Sequence, residues 1–259
     1  MKDHQILMTG ENVLAILEGR KTQTRRIIKP QPAISVDTAK CMNIKGSREW
    51  KYFQKISEAV IQGISDWIVC PYGKPGDRLW VKEAICGRLP ETGQQKKELV
   101  HYKADGAKVM LHFADGDSSP VAWEYKNKTL PAMFMQKRFT RLWLEVKSVR
   151  AERLQEISWE DCRAEGCRPE FTKKVKNCGH PDCKGVHYGE KWAFRELWDS
   201  IYAKPKLCKH NPYTNEIEVC YVGYPWDEIR TAKTLPSGKK EYIVGNPMVW
   251  PIELERIET

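Results

Sequence analysis

Three segments in which apolar and polar residues alternate constrain the fold of this chain more than any other feature. They lie at 77–83, 141–146 and 248–254. A period of two is typical of β-strands that bury one face, so we predict a strand in each segment. Pro251 lies inside the last segment, and because proline has no N–H to donate, it predicts an edge strand or a bulge there.

The first of these segments also predicts an inward-facing carboxylate. Leu79 and Val81 define its apolar face, and strict alternation puts Glu83 on the same face. A buried carboxylate needs a partner of opposite charge. We therefore expect Glu83 to pair with an arginine rather than to face solvent.

Short helices are predicted from capping residues and apolar spacing. The first covers 11–18, with Thr9 as its N-cap and Gly19 as its stop. The second begins at Ser158, which has an acidic residue three positions later, and ends about two turns on at Gly166.

A third helix is predicted at 190–202 from an apolar stripe. Phe194, Leu197, Trp198 and Ile201 recur there at helical spacing. Stripes of this kind are more often core than binding surface, so we expect these four side chains to be buried.

Strands outnumber helices in this pattern, which favours an α+β fold with a small mixed β-barrel or sheet and short helices attached to it. Four polar stretches punctuated by glycine and proline interrupt the pattern. We interpret them as insertions with extra hairpins or loops, at about 31–75, 88–132, 167–189 and 204–245. No shift of composition marks a boundary, so we predict a single domain over 1–259.

Net charge and cysteine content limit the partners and the cellular compartment that we expect for this protein. The chain has 43 Lys plus Arg against 34 Asp plus Glu, a net charge of +9, which predicts attraction to nucleic acid, nucleotides or an acidic surface. No signal-peptide core is visible, and no window approaches the roughly 18 apolar residues of a membrane span. We expect a cytoplasmic protein with no membrane partner, whose nine cysteines are reduced or bind metal.

The segment 19–26 concentrates positive charge directly after the first predicted helix. It contains no carboxylate, so it predicts a site for an anion or a polar substrate. Its cationic and hydroxyl side chains are Arg20, Lys21, Thr22, Thr24, Arg25 and Arg26.

The order of these motifs resembles that of ASCH-domain proteins. The resemblance is carried by Gly-Arg-Lys-Thr-Gln-Thr-Arg at 19–25, Gly-Asp-Arg-Leu-Trp-Val-Lys-Glu at 76–83, the segment 149–166 and Phe-Arg-Glu-Leu-Trp-Asp-Ser-Ile at 194–201. It extends from residue 5 to the last residue and implies a PUA-like mixed β-barrel with short flanking helices and loop insertions. Large members of this form occur in phages and prophages.

The resemblance implies a binding function. It suggests that RNA, a nucleotide or a modified nucleoside binds in a basic cleft around Lys21, Thr24 and Arg25, with Arg20, Arg26, Trp80 and Glu83 as further substrate-binding residues. No organic cofactor is implied.

The same family includes a small bacterial amidohydrolase that removes the acetyl group from N4-acetylcytidine. Its proposed lysine, threonine and glutamate match Lys21 as base, Thr24 as nucleophile and Glu165 as acid and base. The resemblance therefore also implies an amidohydrolase that acts on N4-acetylcytidine or a related acylated nucleoside.

Two other interpretations of the same residues stay open. Lys21 and the arginines can instead form a solvated basic strand that contacts phosphates, with Thr24 as an ordinary strand residue and Glu165 as a surface residue. Alternatively, the chain is a non-catalytic phage regulatory or host-interaction protein whose basic face contacts an acidic protein.

Tryptophans beside basic residues predict base stacking at one or two positions. Trp80 lies between Arg78 and Lys82 in the sequence. The other aromatic candidates are Trp143, Tyr224 and Trp226.

A cluster of soft ligands predicts a structural zinc site. Cys167, Cys178, Cys183 and His187 provide a Cys3His set, with His180 as an alternative ligand. A metal would order a loop that has almost no apolar residues. Because the spacing of Cys178 and Cys183 is not that of a Cys-x2-Cys pair, the alternative is that these cysteines are unliganded.

Overall fold

The protein is described from a computed structural model. The residues it describes are 1–31, 39–43, 47–55, 61–63, 67–88, 97–112, 129–167, 186–203, 205–210, 217–221, 223–226, 230–234 and 240–258.

The fold is mixed α+β, with many strands and few helices. The helices are α1 (Gly10–Leu17), α2 (Trp159–Ala164) and α3 (Val186–Tyr202). The strands are β1 (Asp3–Leu7), β2 (Gln23–Ile27), β3 (Ala39–Asn43), β4 (Glu49–Lys55), β5 (Ile61–Gly63), β6 (Ile68–Val69), β7 (Arg78–Lys82), β8 (Ile85–Arg88), β9 (Lys97–Tyr102), β10 (Lys108–His112), β11 (Thr129–Leu130), β12 (Trp143–Val149), β13 (Glu152–Arg153), β14 (Pro205–His210), β15 (Ile217–Tyr221), β16 (Arg230–Thr234), β17 (Lys240–Val244) and β18 (Met248–Ile257).

The chain forms two compact units, each built from separate stretches of sequence. Unit 1 comprises Met1–Thr22, Pro71–Ser148 and Glu253–Thr259. Unit 2 comprises Gln23–Cys70 and Val149–Ile252. The single domain expected over 1–259 stays a prediction.

Unit 1 contains two sheets. In the first, β7 lies between β1, which runs parallel to it, and β12, which runs antiparallel. In the second, the strands follow the order β10-β9-β8-β11. The second sheet covers a core cluster of Ile85, Val100, Tyr102, Leu130, Met135 and Phe139.

Unit 2 is organised around the first half of β18. There β18 pairs with β13 through Glu152 and Val249, and the amide of Ile28, next to β2, donates to the carbonyl of Met248 over 3.0 Å. Helices α2 and α3 pack over a core cluster of Leu154, Ile157, Cys162, Phe194, Trp198, Trp226 and Val249. The unit also carries a sheet of β3 to β6 and the hairpins β14–β15 and β16–β17.

The predicted strands and helices are confirmed, with two corrections. Ile201 is 37% exposed and Leu197 is half-buried, so only Phe194 and Trp198 of the four predicted stripe residues are buried. Of the edge strand or bulge predicted from Pro251, the edge strand is wrong, because β18 has neighbours on both sides, and the bulge stays a prediction. Pro251 lies opposite Arg150, in the break between β12 and β13. The amide of Arg150 donates to the carbonyl of Pro251 over 3.0 Å, and proline has no N–H to return the second bond of the pair.

The insertions predicted at 31–75, 88–132 and 204–245 each contain antiparallel strands. Within the described ranges, no helix combines the length and the apolar character needed to cross a membrane.

Candidate functional site

Buried polar side chains concentrate on one short segment. Eight polar or charged residues are buried in the described part of the chain, and four of them lie within 21–25. Burial of a polar group is unfavourable unless it is paired, so a protein that concentrates such groups needs a compensating network or a function for them. The four residues, each at most 5% exposed, are Lys21, Gln23, Thr24 and Arg25.

The segment 21–25 follows shortly after the end of α1. Thr9 caps the helix start by accepting from the amide of Asn12 over 3.3 Å. At the other end Gly19 adopts a φ of +72°, a left-handed conformation that favours glycine. The amides of Arg20 and Lys21 then both donate to the carbonyl of Ala15. Lys21 is therefore fixed at the exit of the helix in unit 1.

In unit 2, Arg25 binds three carboxylates that come from distant parts of the sequence. Its Nη2 donates to Glu152 Oε1 over 2.7 Å and to Asp161 Oδ2 over 2.6 Å. Its Nη1 lies 3.3 Å from Glu165 Oε1. The side chain of Arg25 is completely buried, so these ion pairs are shielded from solvent.

Gln23 completes this network on the same face of β2. Its Oε1 accepts from Arg25 Nη1 over 2.6 Å, and its Nε2 donates to Asp161 Oδ1 over 3.1 Å. Residues two apart on a strand share a face, which explains why Gln23 and Arg25 meet. The amide thus holds both the guanidinium and one of its carboxylates in place.

Helix α2 supplies two of the three carboxylates because of their spacing. Ser158 caps the helix by accepting from the amide of Asp161 over 3.1 Å, and Glu165 is the C-terminal cap residue. Residues four apart on a helix lie on the same face, so Asp161 and Glu165 both point at Arg25. Glu165 is only 5% exposed, and the interpretation of it as a surface residue is wrong.

The pKa values in this cluster follow from the ion pairs. Burial by itself would lower the pKa of Arg25, but the charge of Glu165 and the contacts with Glu152 and Asp161 outweigh it and raise the pKa. Burial likewise tends to raise the pKa of Asp161, but the hydrogen bond and charge of Arg25 lower it below its ordinary value. Both groups are thus held in their charged forms.

Thr24 lies on the other face of the same strand. Because side chains alternate along β2, Thr24 points away from the face that carries Gln23 and Arg25. It is 3% exposed, so its hydroxyl is also buried. Of the three residues matched to the amidohydrolase, Glu165 therefore joins the Arg25 network, whereas Thr24 faces the opposite side of the strand.

The basic cluster is not the unneutralised patch that its sequence suggests. Arg20 pairs with Glu18, with Nε donating to Oε2 over 2.6 Å, and Arg25 has its three carboxylates. Arg26 is half-buried. Sequence reasoning missed the acidic partners because they are remote in the chain. The four-residue spacing of Asp161 and Glu165 was the available signal.

Glu83 forms a second buried ion pair, in unit 1. It is 1% exposed, as its alternation predicts, and it accepts from Arg141 through both oxygens over 2.9 and 2.8 Å. Arg141 also donates to Asp105 over 2.7 Å and lies 4.0 Å from the ring centroid of Tyr102. Burial, followed by the charge of Glu83, raises the pKa of Tyr102 to about 12. The arginine partner expected for Glu83 is therefore confirmed, and it comes from outside the basic cluster.

The predicted stacking residues differ in their surroundings. Trp80 is half-buried on β7, and Lys82 Nζ lies 5.4 Å from its ring centroid. Trp143 is half-buried on β12. Trp226 is a core residue of unit 2, so it is not a stacking position.

Most of the predicted zinc ligands lie outside the described residues, namely Cys178, His180 and Cys183. Cys167 is half-buried against the core of unit 2, and His187 lies in the first turn of α3. Among the residues that the structure describes, no group of three or more His, Cys, Asp or Glu side chains is arranged to hold a metal ion. The zinc site stays a prediction.

Comparison with known proteins adds no assignment: no family model, no curated protein and no solved structure matches this chain.

Proposed function

We propose that this chain is an ASCH-domain protein with a PUA-like β-barrel, and that it binds a nucleobase, as a modified nucleoside or within RNA, at the buried polar segment 21–25. The observation that carries the proposal is the burial of Gln23, Thr24 and Arg25 on β2, where Arg25 contacts the buried Glu165 within unit 2. Concentrated buried polar groups are typical of sites that recognise a polar ligand.

The charge of the Arg25 network favours a base over a phosphate as the recognised group. Three carboxylates, from Glu152, Asp161 and Glu165, face two guanidiniums, from Arg25 and Arg150. The network therefore has no excess positive charge to offer a phosphate. Carboxylates do accept hydrogen bonds from the exocyclic amino group of cytosine, so cytidine is the nucleoside that this chemistry fits best.

Equilibrium titration with cytidine, uridine and cytidine monophosphate tests the proposal. We expect cytidine to bind more tightly than uridine, and the monophosphate to gain no affinity from its phosphate. Glu165→Gln and Lys21→Ala should weaken cytidine binding, whereas Lys103→Ala, which removes an exposed lysine of unit 1, should not. Circular dichroism on each variant separates loss of binding from loss of folding.

Two results would overturn this proposal. One is tight binding of the monophosphate and of inorganic phosphate with no preference among bases, which would favour a phosphate-binding strand. The other is the absence of binding to any member of a panel of modified nucleosides screened by mass spectrometry, which would favour the host-interaction alternative.

Amide hydrolysis is the second candidate function. The burial of Glu165 argues against a surface role for that residue, but the scheme requires one substrate to reach both Glu165 and Thr24, which face opposite sides of β2. In this scheme Thr24 Oγ1 attacks the acetyl carbon of N4-acetylcytidine while Lys21 accepts the hydroxyl proton. Glu165 protonates the departing amine. As a carboxylate it then accepts a proton from the water that attacks the acetyl–Thr24 ester, and the proton held by Lys21 returns to Thr24 Oγ1 as acetate leaves.

Thr24→Val tests the hydrolytic scheme because it removes the hydroxyl and keeps the branched shape. We expect acetate release to be abolished while cytidine binding persists. Undiminished acetate release by this variant would exclude Thr24 as the nucleophile, and no release by the wild type would leave binding as the function.

A further inference from the structure

Two tryptophans lie side by side on the outer face of the first sheet of unit 1. Along β7, Trp80 alternates with Leu79 and Val81, which are fully buried. On the neighbouring strand β12, Trp143 is paired in register with Trp80. Directly opposed residues on antiparallel strands have Cβ atoms about 5 Å apart on the same face, so the two indoles form one aromatic surface.

Three cations surround this surface. Lys82 Nζ lies 5.4 Å from the ring centroid of Trp80. Arg78 Cζ and Lys137 Nζ lie 5.0 and 5.3 Å from the ring centroid of Trp143. Each distance is within the range of a cation–π contact. The aromatic surface is therefore flanked by positive charge contributed by two separate parts of unit 1.

The charge around the tryptophans is positive on balance. Asp3 binds both Arg78, over 2.9 Å, and Lys137, over 2.7 Å. Lys82 instead donates to neutral oxygens, those of Gln5 and the carbonyl of Met133. Glu145, in register with Arg78 on β12, adds a second carboxylate, which pairs with Lys147. Of the three cations, Lys82 is thus the one whose described hydrogen bonds go to neutral oxygens, and its charge complements an anion.

Exposed polar and apolar groups extend the same surface. Gln5 is exposed and in register with Trp80, where its amide can bond a base edge. Leu7, in register with Lys82, is 46% exposed, and Met133 is 60% exposed. Exposed apolar side chains that group together beside aromatic rings are a feature of interaction surfaces.

We propose that this face, formed by Gln5, Arg78, Trp80, Lys82, Lys137 and Trp143, is a stacking platform for single-stranded RNA. Unstacked bases displace the cations from the faces of the two indoles and lie flat on the rings, and the displaced cations contact the phosphates. A duplex does not fit the platform, because its bases are stacked within the helix and present no open face. The choice of RNA over DNA rests on the proposed function, whereas the platform itself does not use the segment 21–25.

Fluorescence anisotropy with a short, labelled oligouridylate tests the platform. Trp80→Leu and Trp143→Leu should each raise Kd about tenfold, because each removes one stacked base contact. Lys82→Ala should flatten the dependence of log Kd on log salt concentration by about 0.7, the value for one phosphate contact on a single strand. Quenching of tryptophan fluorescence on RNA binding should decrease in the Trp variants.

The chain contains a matched control for these variants. In unit 2, Lys51 Nζ lies 5.4 Å from the ring of the exposed Trp67, the same distance as in the Lys82–Trp80 pair. Trp67→Leu thus removes a lone tryptophan with one cation and should leave RNA binding at the wild-type level. Thermal melting of all three Trp variants checks that each one is folded.

The outcomes separate this inference from the proposed function. RNA binding that is lost in Trp80→Leu but retained in Lys21→Ala supports the platform even if no nucleoside binds at 21–25. The inference is overturned if the folded Trp80→Leu and Trp143→Leu variants bind the oligouridylate as wild type does, or if Trp67→Leu weakens binding as much as they do. It is also overturned if the DNA strand of the same length binds more tightly than the RNA.

Discussion

Arg25 and Glu165, which are 140 residues apart in the sequence, form a buried ion pair in which Nη1 and Oε1 are 3.3 Å apart. The guanidinium also binds Glu152 and Asp161, so its positive charge is balanced by carboxylates within unit 2. This relationship changes the role of the basic segment, because a neutralised arginine organises carboxylates instead of attracting phosphates.

Arg25→Met should be strongly destabilising. The substitution leaves three carboxylates close together without the cation that they share, and removal of one partner from a buried pair costs about 3–5 kcal/mol of unfolding free energy. Arg20→Met is the matched control from the same segment, because Arg20 lies at the surface and an exposed pair contributes at most about 1 kcal/mol. Chemical denaturation measures the free energy of unfolding of both variants. Equal losses would contradict the claim that the buried ion pairs of Arg25 stabilise the protein more than the pair of Arg20 does.

The ion pair of Asp161 should make the free energy of unfolding depend on pH in the acid range. Its pKa is lowered below the ordinary value of 3.8, since Arg25 outweighs the effect of burial. The ion pair therefore contributes fully above the unfolded pKa, and the contribution is lost as the pH falls through the lower, folded pKa. We expect the free energy of unfolding to decrease below about pH 4.

Asp161→Asn tests this dependence by removing the titrating group. Its unfolding free energy should be lower at neutral pH and should decrease less steeply in acid than that of the wild type. Glu160→Gln is the control for a change of charge on the same turn of α2, since Glu160 is exposed. Identical pH profiles for the two variants would exclude the Arg25–Asp161 pair as the origin of the effect.

Glu83→Gln should destabilise unit 1. The substitution removes the buried Glu83–Arg141 ion pair and leaves Asp105 as the charged partner of Arg141 among the ion pairs described here. Breaking a buried pair in this way should lower the free energy of unfolding by about 3 kcal/mol. Glu145→Gln removes a carboxylate from an exposed pair with Lys147 and should cost less than about 1 kcal/mol. Thermal melting of each variant measures the loss of stability. An unchanged melting temperature for Glu83→Gln would argue against a stabilising role for the Glu83–Arg141 pair.

The zinc site predicted from Cys167, Cys178, Cys183 and His187 leads to a measurable metal content. Elemental analysis of untreated protein should find about one zinc per chain, as a Cys3His site requires. Cys183→Ser should lower this content, whereas Cys70→Ser, which changes a buried cysteine remote from the cluster in sequence, should not. Untreated protein without zinc would rule out the site.

Local sequence features predicted the elements well, for identifiable reasons. Thr9 and Gly19 bound α1, and Ser158 and Gly166 bound α2, because capping depends on side chains within the same turn. Strand alternation also placed Glu83 inward. Ile201 is an exception, since its exposure depends on what packs against that end of α3 rather than on its spacing.

The partners of the charged residues could not be predicted in the same way. Pro251 suggested an edge strand or a bulge because the sequence does not show which strands flank β18. The charge of Arg25 is balanced only because Glu152 and the carboxylates of α2 lie next to β2. The pairing of Trp143 with Trp80 likewise depends on the register between two strands whose paired residues are 63 positions apart in the sequence.

By itself, the sequence determined where helices and strands begin and end and which faces they bury, because those properties depend on neighbouring residues. Only the tertiary structure decided that Arg25 is neutralised, that Glu165 is buried and that Trp80 and Trp143 form one surface. Charge neutralisation, burial and strand register are set by residues that are distant in the chain and adjacent in space, so they are decided only when the elements pack.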